Sequence, residues 1–234
     1  MEESFHNDKY AEVNKLRVVI TGVTGMVGEG VLHECLLSPD VEKVMVVSRK
    51  PYGITHPKLS EIILPDFFDL SSVESALGGY NACFFCLGVS SVGMKKEVYE
   101  HLTHDLTIGF AKVLVKQNSD MSFCYVSGAG TDSTEKGRLH WARVKGKTEN
   151  DLQKLGFKHV YLFRPGMLKP TEGAKNLPPI YKWIKWLAPV LETVWPSSIC
   201  SLAQLGQAMI HVVEGEYPKN IIEVKDIKNL TLKA

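Results

Sequence analysis

The chain lacks most of the features that assign a class at a glance. No apolar run approaches the ~20 residues that a membrane-spanning helix needs. The start, Met1-Glu2-Glu3-Ser4, is acidic where a secretory leader is basic and then apolar. Neither sign of charge is in excess, since 27 Lys and Arg against 26 Asp and Glu leave a formal net charge of +1. That balance offers no broad basic surface for nucleic acid or an acidic membrane. The five cysteines are an odd number, poorly suited to a disulfide framework, so a reducing, cytoplasmic setting is expected. Internal repeats and low-complexity tracts are also missing. Cys83 and Cys86 sit three apart in an apolar strand and so face opposite sides, which argues against a redox or metal pair. No metal site is expected.

What is present is an alternation of apolar runs and helical patterns. Strands are expected at Leu16–Thr21, Val41–Val47, Glu61–Leu64, Asn81–Leu87, Met121–Val126 and Val160–Phe163. Between them the spacing predicts helices at Met26–Leu37, Ser71–Leu77, about Lys95–Gln117 and Leu139–Leu155. On the third of these Val98, Leu102, Leu106, Gly109 and Val113 share one face. Such alternation implies an α/β, doubly wound parallel sheet with right-handed crossovers, in a single domain over residues 1–234. After Arg164-Pro165-Gly166 the pattern changes. A Pro/Trp-rich stretch at about 168–200 suits a small lobe on the ligand side of the sheet. Within it, Trp183, Leu187 and Val190 fall on one helical face, as in a cleft-covering or a membrane-surface helix. A helix at Ser201–Glu214 and a strand at Ile221–Val224 complete the pattern.

The chemistry begins at Val18-Val19-Ile20-Thr21-Gly22-Val23-Thr24-Gly25-Met26-Val27-Gly28. An apolar β-branched run ends at a glycine-spaced turn, and a helix starts at once. Gly22 allows the tight turn, Gly25 lets the backbone approach a phosphate, and Gly28 removes a side chain where helix meets sheet. Contacts to a dinucleotide are therefore expected from Gly22, Thr24, Gly25, Met26, Val27 and Gly28. About 20 residues on, an NAD site places an acid on the ribose hydroxyl. Here the chain reads Val47-Ser48-Arg49-Lys50, with no carboxylate to repel a 2′-phosphate and three groups to bind one. NADP(H) is expected over NAD(H). Asp66-Phe67, after the third strand, reads either as an adenine contact or as an acid at the start of a helix.

Together with Cys86-Leu87-Gly88-Val89-Ser90, Ser127-Gly128-Ala129-Gly130, Val144-Lys145-Gly146-Lys147-Thr148-Glu149 and Phe163-Arg164-Pro165-Gly166, these blocks resemble the short-chain dehydrogenase/reductase superfamily. The likeness is to its atypical, extended-like branch and, within it, to the Tat-interacting oxidoreductase-like NAD(P)-binding family. It implies a Rossmann-type fold. It also implies that Cys86, Leu87 and Gly88 line the ribose and nicotinamide, and that Pro165, Gly166 and Met167 lie beside the carboxamide. Ser127 matches the family's catalytic serine, which polarises a substrate carbonyl. Lys145 matches its lysine, which holds the nicotinamide ribose. The family's tyrosine, four residues before that lysine, is replaced by Trp141. An indole N–H donates but does not titrate in a useful range, so the usual acid–base is missing.

A histidine is an acid–base residue type, but His140 is rotated ~100° from Trp141 on a helix. Tyr125 and Tyr161 read as strand residues of the core or sheet surface, and His101 and His104 as surface or satisfied histidines. The sequence thus points to an NADP(H)-dependent oxidoreductase acting on a small organic carbonyl or alcohol, apolar or aromatic if the Trp-rich lobe covers it. The alternative is a catalytically impaired NADP(H)-binding sensor or regulatory interaction protein. A homodimer is compatible with either.

Overall fold

A computed structural model describes residues 15–170, 176 and 198–232. Strand β1 (Leu16–Thr21) is followed by α1 (Met26–Leu37), β2 (Val41–Ser48) and β3 (Leu59–Ile63). After β4 (Ala82–Phe85) come α2 (Lys96–Glu100), a π-helical turn (His101–Asp105) and α3 (Leu106–Gln117). Next are β5 (Ser122–Val126), α4 (His140–Leu152), β6 (His159–Arg164) and β7 (Met167–Lys169). The chain ends with β8 (Ile199–Ser201), α5 (Leu202–Glu214), β9 (Ile221–Glu223) and α6 (Val224–Thr231).

Among the described residues, seven strands form one parallel sheet in the order β3-β2-β1-β4-β5-β6-β9. This is the doubly wound α/β, Rossmann-type fold expected from the alternation. β7 and β8 pair separately and in parallel. Alternation along β1 shows how the layers form. Val18 and Ile20 join the core under α1 and α5, whereas Val19 joins the core under α3 and α4. Both faces are buried, so the strand needs apolar residues at successive positions rather than at every second one. Cys83 and Cys86 divide the same way between the two cores, as their spacing on a strand requires.

Several elements differ from the sequence reading. The expected helix at Ser71–Leu77 is only a 3₁₀ turn over Glu74–Leu77. The expected long helix carries a π turn in its middle. A π turn places an extra residue in the helix and rotates the residues before it against those after it. Val98, assigned to the buried face by an unbroken 3.6-residue period, is 44% exposed, and its neighbour Tyr99 is 2% exposed in its place. The strand pair β7–β8 and helix α6 were not anticipated. Most of the lobe expected at 168–200, including the Trp183 helix, lies outside the described residues.

The sheet order decides where a ligand binds. From β1 the chain winds outward to β2 and β3, then returns to β4 and winds the other way. The crevice beyond the carboxyl ends of β1 and β4 is therefore left open. Its floor depends on close backbone contact. Gly22 has φ +76°, and a Cβ there would sit 2.7 Å from the Cys86 carbonyl carbon. A Cβ on Gly28 would lie 2.3 Å from the Gly22 oxygen. Gly22→Ala combines a strained φ with a backbone clash and is expected to cost about 3 kcal/mol. Urea denaturation measures it, and an unchanged midpoint would refute the close-approach argument.

Candidate functional site

The crevice is a cavity of about 300 Å³. Four blocks recognised separately in the sequence meet on its walls. Gly22, Thr24 and Gly25 come from the turn after β1, and Ser48 and Arg49 from the end of β2. Asp66 and Phe67 come from beyond β3, and Cys86, Leu87 and Gly88 from beyond β4. Pro65, Phe68, Val89, Leu102 and Leu106 complete the lining and were missed. Leu102 and Leu106 read as ordinary core positions of a helix. Nothing in their spacing reveals the π turn that carries Leu102 to the cleft.

The cavity suits an anionic group at one end. Gly25 is the N-cap of α1 and provides no side-chain cap to the first-turn N–H groups. By contrast, Ser201 and Gln204 cap α5 reciprocally. Uncapped N–H groups with the helix dipole behind them favour a phosphate. A Cβ at Gly25 would meet only the Gly22 oxygen, at 3.4 Å, so the approach from the cavity side is clear. Met26, Val27 and Gly28 form the first turn below Gly25 and are not among the lining residues.

The other recognition residues divide in the same manner. Arg49 is exposed at the cavity wall. Lys50 is exposed but lies outside the lining. The Ser48 hydroxyl donates to the Lys50 carbonyl at 2.6 Å, so its proton is committed to the turn rather than free for a phosphate. Asp66 Oδ1 accepts from the Phe68 N–H at 2.9 Å, and its other oxygen is left for an amino group. Phe67 is a core residue whose ring lies 5.9 Å from that of Phe110. The exposed aromatic wall is Phe68, stacked on His101 at 4.3 Å. Burial pushes the Cys86 thiol far above its ordinary pKa, so Cys86 is a wall and not a nucleophile.

The expected catalytic residues are arranged differently. Ser127 ends β5 but is only 4% exposed. Its hydroxyl donates to Glu149 Oε1 at 2.6 Å, with the Phe163 carbonyl at 3.1 Å as the alternative acceptor. Glu149 is fully buried, at 0% exposure. Arg164 reaches it through Nε at 3.0 Å and through Nη2, and Nη2 also bonds the Ser133 hydroxyl. The single hydroxyl proton of Ser127 therefore serves a buried ion-pair cluster. The hydroxyl expected to polarise a substrate carbonyl thus has a protein acceptor in this arrangement. The spacing of Glu149 one turn beyond Lys145 was visible, but its partner Arg164 lies on another strand.

Lys145 is half-buried, and its Nζ donates to the Ser127 carbonyl. Burial lowers its pKa to about 8, against the opposing pull of Glu149. Trp141 lies one turn earlier on α4, and its ring edge packs over Gly130. His140 turns instead towards Tyr99, ring to ring at 6.1 Å, and does not replace the missing phenol. Tyr125 and Tyr161 are core residues, as expected. His104 bridges Asp105 at 2.8 Å and Asp151 at 2.9 Å, a satisfied histidine. Pro165, Gly166 and Met167 lie against neighbouring backbone rather than on the described cavity wall. The Ala129 N–H donates to the Pro165 carbonyl at 2.8 Å, and a Cβ on Gly166 would fall 2.2 Å from the Ser198 oxygen. No cluster of metal-ligating side chains occurs among the described residues.

Comparison with known proteins gives the arrangement a context. No family model matches the chain. It is 25% identical over 216 residues to "Protein fmp52-1, mitochondrial" of Aspergillus terreus, covering 86% of this chain and 90% of that one. It is 29% identical over 163 residues to "Protein FMP52, mitochondrial" of Candida glabrata, covering 67% and 65%. Among solved structures, a short-chain dehydrogenase from Burkholderia cenocepacia in complex with NADP has a TM-score of 0.63 at 13% identity, covering 93% of this chain and 92% of that one. The Bordetella bronchiseptica enzyme WbmF in complex with NAD+ and UDP has a TM-score of 0.66 at 14% identity, covering 90% and 72%. The relatives' names place them in mitochondria and overturn the cytoplasmic setting expected from the acidic start and the odd cysteine count. No described helix is long and apolar enough to cross a membrane.

Two measurements test the buried cluster. Glu149→Ala strands the Arg164 guanidinium and is expected to destabilise the fold by about 4 kcal/mol. A loss below about 1 kcal/mol by denaturant titration would show the pair to be solvated. An amine with a pKa of about 8 when folded and about 10.4 when unfolded sheds its proton first in the folded state. The Lys145 contribution to stability therefore improves as pH rises from 8 to 10.4 and is poorest below 8. Amine-reagent labelling read by peptide mass spectrometry should give Lys145 a half-point near pH 8. A half-point with the surface lysines, above about 10, contradicts the burial argument.

Proposed function

We propose that this chain, which has the fold of the extended short-chain dehydrogenases/reductases and resembles their atypical members, is an NADP(H)-dependent oxidoreductase acting on a small organic carbonyl or alcohol. The observation that carries this reading is the convergence of four separate sequence blocks on one cavity at the β1/β4 crevice. Solved relatives in fold that hold NAD+ or NADP support a nicotinamide dinucleotide there. The uncapped α1 terminus takes the pyrophosphate, Asp66 the adenine amino group, and Phe68 one face of the base. Arg49 takes the 2′-phosphate, because its planar fork fits a phosphate and no acid at that position opposes it.

A bound reduced dinucleotide supplies hydride. The chain must supply orientation and a proton. With Trp141 unable to titrate and Ser127 bonded to Glu149, the group left for this role is Lys145, whose Nζ donates to the Ser127 carbonyl. Its amine holds the nicotinamide ribose and exchanges protons with water near neutral pH. The Trp-rich segment favours an apolar or aromatic substrate.

A second reading is favoured by one specific observation. The residues read as adenosine contacts, Arg49 and Asp66, line the cavity, whereas the Ser127 hydroxyl is bonded into the Glu149–Arg164 cluster and Trp141 stands where the phenol is expected. On that reading the protein binds NADP(H) and responds to it without turnover. Calorimetric titration with NADPH and with NADH separates binding from chemistry. NADPH should bind tighter, and Arg49→Ala should cost about tenfold in NADPH affinity with little change for NADH. Equal losses would sink the Arg49 assignment. NADPH consumption with a carbonyl panel then selects the enzyme reading, and binding without consumption selects the sensor.

A further inference from the structure

We propose that Glu61 is a positioning residue for dinucleotide discrimination, acting through the Tyr52 backbone to hold the Arg49 turn at the cavity wall. The inference rests on the Arg49 reading and extends it to a residue outside the cavity lining. From Arg49 to Lys58 the chain contains no helix or strand, so regular hydrogen bonding does not fix it. Its far end is held at His56 and Lys58, and the part next to Arg49 is held by three bonds. The Ser48 hydroxyl donates to the Lys50 carbonyl at 2.6 Å and closes the turn on itself. The Tyr52 N–H donates to Glu61 Oε1 at 3.0 Å and ties the segment to β3. The Tyr52 hydroxyl donates to Glu29 Oε1 at 3.4 Å and ties it to the first turn of α1.

Glu61 and Glu29 therefore grip one residue, three positions beyond Arg49, from two different elements. Tyr52 is half-buried against the core, and burial together with Glu29 raises its hydroxyl pKa. The phenol accordingly remains a neutral donor. Glu61 is half-buried on β3, where the adjacent ladder sets Ser48 opposite Ile63. The tether thus starts from the strand that already fixes the end of β2.

The physical gain is preorganisation. An arginine on an unpinned loop must lose backbone freedom as well as rotamer freedom when it grips a phosphate. A pinned loop loses only the second. The tether affects NADPH and not NADH, since only the 2′-phosphate calls on Arg49. A carboxylate is not itself required, because an amide oxygen accepts the same N–H bond. Glu61→Gln should therefore behave as the wild type, and Glu61→Ala should not.

The test is calorimetric titration of the full chain with NADPH and NADH for the wild type, Arg49→Ala, Glu61→Gln and Glu61→Ala. The expected result is an NADPH Kd raised about tenfold in Glu61→Ala, with NADH unchanged and Glu61→Gln within about twofold of the wild type. Unchanged discrimination in Glu61→Ala overturns the proposal. So does equal loss of both nucleotides, which would mark Glu61 as merely structural. Tighter NADPH binding in Glu61→Ala also overturns it, by showing that the carboxylate acts through repulsion. A wild type that does not prefer NADPH, or an Arg49→Ala variant that loses both nucleotides equally, refutes the Arg49 reading and the proposal with it. That failure is separable from the others because it is visible without any Glu61 variant.

Discussion

The cleft at the ends of β1 and β4 depends on one backbone contact, between the turn after β1 and the chain leaving β4. At Gly22 the two run so close that a single methyl group would overlap the Cys86 and Leu87 peptide. The same turn folds under itself at Gly28. Because both contacts are backbone to backbone, no side-chain rearrangement can relieve them. Arg49 and Gly88 are brought to the walls of one cavity by this contact and by the parallel ladder behind it.

A second constraint lies deeper, where the fully buried Glu149 is paired with the partly buried Arg164. Each charge is expensive to bury alone, so each makes the other necessary. The pair joins α4 to β6 and draws in the Ser127 and Ser133 hydroxyls. Lys145, one turn away, has no carboxylate partner among the described residues and keeps a weakened hold on its proton. One charge is thus paired and fixed while its neighbour is left labile.

Much of the fold was legible because the sheet is buried on both faces. Apolar runs such as Val18-Val19-Ile20 admit little besides a central strand, and the bounds of β1 and α1 agree with the sequence reading to the residue. The cleft was legible for the same reason, since strand ends and glycine spacing are local signals. The π turn was not, because its extra residue leaves no mark in a sequence read at a fixed period. The fate of Ser127 was not legible either. Its position at the end of a strand was clear, but its hydroxyl partner is 22 residues away and is itself fixed by Arg164. Chemistry set by long-range charge pairing appears only when the layers are assembled. The β7–β8 pair escaped because three-residue strands carry no periodicity.

The missing cap on α1 has a consequence for the life of the protein as well as for binding. A helix whose first turn has no side-chain acceptor leaves its N–H groups to water or to an anion. Were the cleft to bind the dinucleotide proposed above, that ligand would contribute to folding as a cap residue does, and the folded population would grow with the logarithm of its free concentration over its Kd. Resistance to proteolysis, and with it steady-state abundance, would then be tied to the nucleotide pool. In a compartment depleted of dinucleotide the chain would be lost by degradation before it was lost by inactivity.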